Sequence, residues 1–201
     1  MVPPATASAQ RSARRGSSDK GCVLWFTGLS GAGKSTLAAR LSAMIAEREQ
    51  FVEVLDGDMV RQHLSQRLGF TKDDRDMNVR RIGFVANLLS RNGCCALTAT
   101  ISPYRSVRAE IRAMIDPKRS EFVEVYVNAP LSVVEERDTK GLYKKARAGL
   151  IKNFTGVSDP YEAPEDPEIV VHTGDETVEE SAGKILRFLE ERGLVAALAN
   201  D

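Results

Sequence analysis

The chain lacks any excess of charge. Its 28 Lys and Arg are balanced by 28 Asp and Glu. Nothing global therefore draws it toward nucleic acid or an anionic membrane, and any phosphate site must be assembled locally. It also lacks long apolar runs; none approaches the roughly 20 residues that a membrane-spanning helix needs. Cysteine is scarce: Cys22, Cys94 and Cys95. The number is odd, the spacing fits no metal site, and the adjacent pair is poorly placed to bridge itself. Small apolar side chains of a buried strand in a reducing compartment are the expectation. Internal repeats are absent. So is acid at the start, where the first carboxylate is Asp19. That Ser-, Ala-, Pro- and Arg-rich stretch, residues 1–20, reads either as a disordered tail or as a transit-peptide remnant. The first implies a cytoplasmic protein, the second a plastid or other organelle.

What remains is a pattern of strand-like runs, each followed by a helix-like one. "CVLWFT" (22–27) precedes a helix over about 33–49, and "FVEVL" (51–55) precedes two helical stretches, the second over about 75–91. "CCALTAT" (94–100) leads to a helix near 103–115, and "FVEVYV" (122–127) to one ending near Arg137. "EIVVHT" (168–173) leads to a helix over about 177–192, which Thr177 and Glu180 open as a capping-box pair. Five strands separated by helices predict an α/β fold, a five-stranded parallel sheet with helices on both faces. One domain over 21–195 is expected, with a short tail at 196–201. Between Asp138 and Pro167 the periodicity fails, and a long irregular segment in a small domain predicts a lid, about 138–160.

The strongest motif follows the first strand. Gly28, Leu29, Ser30, Gly31, Ala32, Gly33, Lys34, Ser35 and Thr36 spell GLSGAGKST, with a strand before and a helix after. Glycines let backbone N–H groups wrap phosphate oxygens, and the following helix adds the positive end of its dipole. Lys34 can reach the β- and γ-phosphates, and the Ser35 hydroxyl can ligate Mg²⁺. An Asn-Lys-x-Asp base-reading motif is missing, which leaves ATP as the default nucleotide.

The second strand ends in "VEVLDGDMVR". Ligands of open parallel sheets sit beyond the carboxyl ends of strands, so Asp56 and Asp58 are expected near the γ-phosphate. Asp58 is the candidate base; Asp56 is either a contact to metal-bound water or a structural turn. The window 61–81 holds Arg61, Arg67, Arg75, Arg80 and Arg81, which reads either as a solvated helix face or as an oxyanion site. Phe70 and Phe154 stand among Gly and polar residues rather than in an apolar stripe.

In order along the chain, "GLSGAGKST", "LDGDMVR", "LGFTKDDRDMNVRRI", "ISPYR", "RDTKGLYKKARAG", "IKNFTG" and "DPYEAPEDPE" closely resemble adenylylsulfate kinases over roughly residues 20–192. The resemblance implies the fold of P-loop nucleotide kinases, usually as homodimers, and an enzyme that passes the γ-phosphoryl group of MgATP to the 3′-hydroxyl of adenosine 5′-phosphosulfate. It implies that Arg61, Arg75 and Asn78 touch the phosphosulfate or ribose, and that Phe70 and Phe154 hold the acceptor's adenine. Ile101, Ser102, Lys140 and Leu142 become acceptor contacts, and Arg137 a donor contact. Ser102 carries two readings, a substrate contact at the start of the next helix and the family's described phosphoserine; no neighbouring His or Lys in sequence would activate it. An association with an ATP sulfurylase is a further implication. Met77, Thr139 and Leu150 depart from the family pattern. A kinase for another small acceptor and a non-catalytic nucleotide-binding module are the rivals; retention of Lys34, Ser35 and Asp58 argues against the second.

Overall fold

The computed structural model describes residues 20–198. The expected N-terminal tail, Lys20 apart, and the last three residues lie outside the described residues. Strands β1 (Gly21–Thr27), β2 (Val52–Asp56), β3 (Cys95–Ala99), β4 (Ser120–Asn128) and β5 (Ile169–His172) form one sheet in the order β2-β3-β1-β4-β5. Every pairing is parallel, as the alternation of strand and helix predicted. The strands are connected through α1 (Lys34–Ala46), α2 (Gly57–Leu64), α3 (Lys72–Ser90), α4 (Arg105–Met114), α5 (Leu131–Arg137) and α6 (Leu142–Arg147); α7 (Val178–Glu191) follows β5.

Both faces of the sheet are covered, and the side-chain alternation of each strand decides what goes where. Cys22, Leu24 and Phe26 of β1 share one core with Leu97, Val125 and Val171, roofed by Leu37, Leu41 and Ile45 of α1 and by Ile185 and Leu189 of α7. The intervening Val23 and Trp25 face a second core with Val79, Ile82 and Ala86 of α3 and Val107 and Ile111 of α4. Burial on both sides explains why the central strands read as unbroken apolar runs. Cys22 and Cys95 are register partners on β1 and β3, their sulfurs 3.1 Å apart and both fully buried. The neighbouring Cys95 sulfur, and then burial, push the Cys22 thiol well up. Cys94 lies just before β3 and is half-buried.

Several helix boundaries differ from expectation for local reasons. Helix α3 begins at Lys72, three residues early, because the Thr71 hydroxyl caps it by accepting from the Asp74 N–H. Helix α4 begins at Arg105, so Ser102 and Pro103 lie in the turn ahead of it and not in its first turn. The Pro103 carbonyl accepts instead from the Glu162 N–H at 2.8 Å. Helix α6 is an extra turn-and-a-half inside the segment whose pattern fails; the Asp138 carboxylate accepts from the Tyr143 and Lys144 N–H groups and holds its first turn.

Because the sheet is parallel, all five carboxyl ends lie on one edge, and the loops that leave them share it. The chain turns away after β1 at Gly28, where a Cβ would sit 2.4 Å from the Val127 carbonyl of β4. Only a residue without a side chain fits that approach.

Helix α7 is fixed by the predicted capping box, with the Thr177 hydroxyl accepting from Glu180 N–H and the Glu180 carboxylate accepting from Thr177 N–H. Thr177→Ala should therefore lower stability by about 1 kcal/mol. The check is a urea titration, in which the midpoint falls while the slope stays constant.

Candidate active site

The phosphate loop leaves β1, and α1 begins behind it from Gly33, held at φ 97°. The Lys34 side chain folds back over the loop, its ammonium donating to the Gly28 and Leu29 carbonyls at 2.9 and 2.7 Å. Burial pushes this ammonium down to about 7, against the upward pull of Asp56. Ala32 is buried beneath the loop, and its carbonyl accepts from the Thr173 hydroxyl beyond β5. Arg137 donates to the Thr173 carbonyl, so the loops after β1 and β5 and the end of α5 are joined.

The Asp56 carboxylate forms the turn that opens α2 and also reaches the phosphate-loop helix. One carboxylate oxygen accepts from the Asp58 N–H at 2.9 Å and caps α2; the other accepts from the Ser35 hydroxyl at 2.6 Å. Asp58 therefore stands in the first turn of α2, its carboxylate exposed and paired with the Lys140 ammonium from the segment between α5 and α6.

These groups open on one cavity of about 740 Å³. Ser30, Gly31, Lys34, Ser35, Thr36, Asp58 and Arg137 line one part of it, and Arg61, Phe70, Arg75, Asn78, Ile101, Ser102, Lys140 and Leu142 the rest. Arg61 donates to the Leu68 and Gly69 carbonyls and lies over the Phe70 ring, its guanidinium carbon 4.6 Å from the centroid. Partial burial, and then the charge of Arg75, lower the Arg61 guanidinium from its usual range. Arg75 donates to the Phe70 carbonyl at 3.0 Å and reaches Thr155 and the Asn153 carbonyl. Asn78 is buried, and its side-chain oxygen has no hydrogen-bond partner. A buried acceptor bordering a cavity is satisfied by a donor entering it.

Of the site residues expected from the sequence, Gly28, Leu29, Ala32 and Gly33 of the phosphate loop do not line this cavity, and neither does Phe154. Its ring meets Tyr143 edge-on at 5.0 Å between centroids and packs against the first core. Tyr143 itself lines the cavity, so the Phe154 ring stands one side chain behind the lining. Tyr143 is the residue that sequence reasoning passed over. Buried within the 138–160 segment, it donates from its hydroxyl to the Ser30 carbonyl at 2.9 Å and so ties α6 to the phosphate loop. The signal was its place in "KGLYKKA", which sits next to the residues already chosen.

Mg²⁺ takes oxygen ligands and is held in kinases through a few protein oxygens plus substrate phosphates. The Ser35 hydroxyl and Asp56 carboxylate fit this donor set. Among the described residues no cluster of three or more His, Cys, Asp or Glu could hold a metal by itself, and none is needed for such a site. No helix among them is long and apolar enough to cross a membrane.

The sequence profile of the family described as adenylylsulphate kinase matches residues 20–172. The adenylyl-sulfate kinase of Halothermothrix orenii is 56% identical over 176 residues, 88% of this chain and 93% of that protein. A Sorangium cellulosum protein named as a bifunctional SAT/APS kinase is 63% identical over 175 residues, 87% of this chain but only 29% of its own length. The Mycobacterium tuberculosis APS kinase, solved in complex with AMPPNP and APS, superposes with a TM-score of 0.82 at 40% identity, covering 86% of this chain and 99% of that one. On the profile, the relatives and the shared architecture together, this chain belongs to the adenylylsulphate kinase family.

Proposed function

We propose that the cavity is the site where the γ-phosphoryl group of MgATP is passed to the 3′-hydroxyl of adenosine 5′-phosphosulfate, giving 3′-phosphoadenosine 5′-phosphosulfate and ADP. The observation that carries the reading is one bond, the Ser35 hydroxyl 2.6 Å from Asp56, with Asp58 capped by the same carboxylate. It joins the phosphate loop to the acids of the second strand around one space.

In this reading donor phosphates lie along residues 28–36. Their oxygens compete with the Gly28 and Leu29 carbonyls for the Lys34 ammonium, and the loop N–H groups and the start of α1 stabilise the charge. Ser35 and Asp56 would hold Mg²⁺, which neutralises charge on the β- and γ-oxygens when bound. Arg137 serves the donor side. Asp58 orients the acceptor hydroxyl and takes its proton as the new O–P bond forms and the bond to ADP breaks in line. Lys140 then exchanges its ion pair with Asp58 for the acceptor's anionic groups. Arg61, Arg75 and Asn78 meet the phosphosulfate and ribose, and Ile101, Ser102 and Leu142 border the acceptor. Phe70 offers its uncovered ring face to the adenine. Phe154 joins it only after leaving Tyr143, which requires movement of the lid, 138–160, within a kinase domain of 21–195. Such closure excludes water as a competing acceptor.

Ser102 serves here as a border of the acceptor site and not as a phosphorylated intermediate. Its hydroxyl accepts from the Trp25 indole N–H at 3.0 Å, and direct transfer needs only positioning and charge stabilisation. The reading extends to a cytoplasmic homodimer. Support for self-association is the pair Met77 and Phe84, two helical turns apart on one face of α3 and 43% and 56% exposed. Joined SAT and APS kinase names in the Sorangium cellulosum relative support an association with a sulfurylase.

The direct test is ADP release from MgATP with and without adenosine 5′-phosphosulfate; release that ignores this acceptor, or prefers a nucleoside monophosphate, would reject the reading. Asp58→Asn should lower kcat by ~10²–10⁴ while ATP binding, measured by calorimetry, persists. Phe70→Ala should raise the acceptor KM by roughly 5- to 100-fold, the worth of one base stacked on an aromatic ring. The ATP KM should hold, as steady-state assays varying each nucleotide would show.

A further inference from the structure

Ser102 is strained. It is not glycine, yet its φ is +39°, and it is 1% exposed. Such a conformation is costly for a residue with a side chain and persists only where the surroundings over-determine it. The surroundings here are three buried donors. The Trp25 indole N–H donates to the Ser102 hydroxyl at 3.0 Å. The Thr27 hydroxyl donates to the Ile101 carbonyl at 2.8 Å. The Arg108 guanidinium donates to the Ser102 carbonyl at 2.7 Å.

Arg108 is the unusual member. It is 3% exposed, outside the cavity lining, and each prong of its fork goes to a different part of the fold. Its Nε donates to Glu124 of β4 at 2.7 Å, one Nη to Ser102 and the other to the Glu162 carbonyl at 2.8 Å. The same stretch is fastened again nearby, since the Glu162 carboxylate accepts from the Arg105 N–H and the Tyr161 hydroxyl meets the Thr27 hydroxyl at 3.0 Å. Glu124 also lies 3.4 Å from Arg112, so its charge is shared. A buried ion pair is weak evidence for stability, because an apolar pair of similar volume packs as well without the desolvation cost. What an apolar pair cannot supply is three directed N–H groups in one plane. Two of them end on backbone carbonyls, and one of those belongs to the strained turn that borders the cavity.

We infer that Arg108, oriented by Glu124 and seconded by the Trp25 indole, is a positioning residue for the acceptor nucleotide: it holds the turn 101–103 in its left-handed shape and so sets where Ile101 and Ser102 meet the substrate. This rests on the proposed reading, in which the 101–103 end of the cavity takes the acceptor and residues 28–36 take the donor. A turn released from its donors relaxes toward ordinary backbone angles, and small misplacements of a reacting group are costly in rate. The donor end shares none of these bonds and should not register the change.

The test compares Arg108→Lys and Trp25→Phe with the unmodified chain in steady-state assays that vary ATP and adenosine 5′-phosphosulfate separately, with thermal melting alongside. Lysine keeps the charge beside Glu124 but cannot serve three directions. Arg108→Lys should raise the acceptor KM at least tenfold with the ATP KM within twofold. Trp25→Phe removes one N–H and keeps a ring against Phe122; it should raise the acceptor KM by about threefold, again selectively. KM values that shift alike for both nucleotides, or that do not shift in folded variants, overturn the inference. If Arg108→Lys does not fold, Trp25→Phe decides by the same criterion. An unmodified chain that does not phosphorylate the acceptor defeats the functional reading and this inference with it; an active chain with unselective variants defeats the inference alone.

Discussion

The Asp56 carboxylate is the point through which the site is assembled. One oxygen receives the Ser35 hydroxyl and the other the N–H of Asp58. The first bond fixes the phosphate-loop helix against the end of β2; the second starts α2 and thereby aims Asp58. Because β2 is an edge strand, separated from β1 by β3, this carboxylate joins loops that leave strands not paired with each other. A hydroxyl and a carboxylate at hydrogen-bond distance are also the oxygen donors that a small hard cation accepts. The same few atoms therefore join two loops, aim Asp58 and present the oxygen donors that the proposed reading assigns to the metal.

Electroneutrality of the whole chain makes the local arrangement of charge decisive. The cavity gathers Lys34, Arg61, Arg75, Arg137 and Lys140 on one side of the molecule, and each is already engaged. Lys34 has two loop carbonyls, Arg61 the Leu68 and Gly69 carbonyls, Arg75 the Phe70 and Asn153 carbonyls, Arg137 that of Thr173, and Lys140 the Asp58 carboxylate. Carbonyl partners orient a cation without cancelling its charge, whereas the Asp159 carboxylate 3.7 Å from Arg75 and the burial of Lys34 each reduce the positive potential that an arriving oxyanion meets. Lys140 alone is neutralised within the cavity, and it comes from the segment read as the lid. Opening that one ion pair would free both a cation and a carboxylate within the cavity, the two groups on which the proposed reading draws.

Most of the fold was legible because its signals are local. Apolar runs of five to seven residues gave the five strands, and the capping box at Thr177 gave the start of α7. The early start of α3 was missed, since Thr71 caps through Asp74 in a window already crowded with charge. Helix α6 was missed because its cap, Asp138, lies four residues ahead of Leu142 and acts through side-chain geometry. The phosphate-loop part of the candidate site, residues 28–36, was legible for a related reason: a contiguous loop carries its own geometry. On the acceptor side Arg61, Phe70, Arg75 and Asn78 were named from resemblance, and their gathering on one cavity depends on how α3 crosses the sheet. Phe154 stands behind Tyr143, one side chain from the lining, and no spacing rule anticipates that placement. Arg108 gave no signal at all; within "SVRAEIR" it looks like any surface arginine.

By itself, then, the amino-acid order determined the elements, their parallel pairing and the loop that wraps a phosphate, since each follows from periodicity or from contacts between near neighbours in the chain. Tertiary structure alone decided which side chains became neighbours across gaps of dozens of residues: Tyr143 beneath Ser30, Lys140 on Asp58, and Arg108 on the Glu162 carbonyl. The physical reason is that a hydrogen bond between distant segments depends on angle and distance to within a fraction of an ångström, and only the packed sheet and its helices fix those.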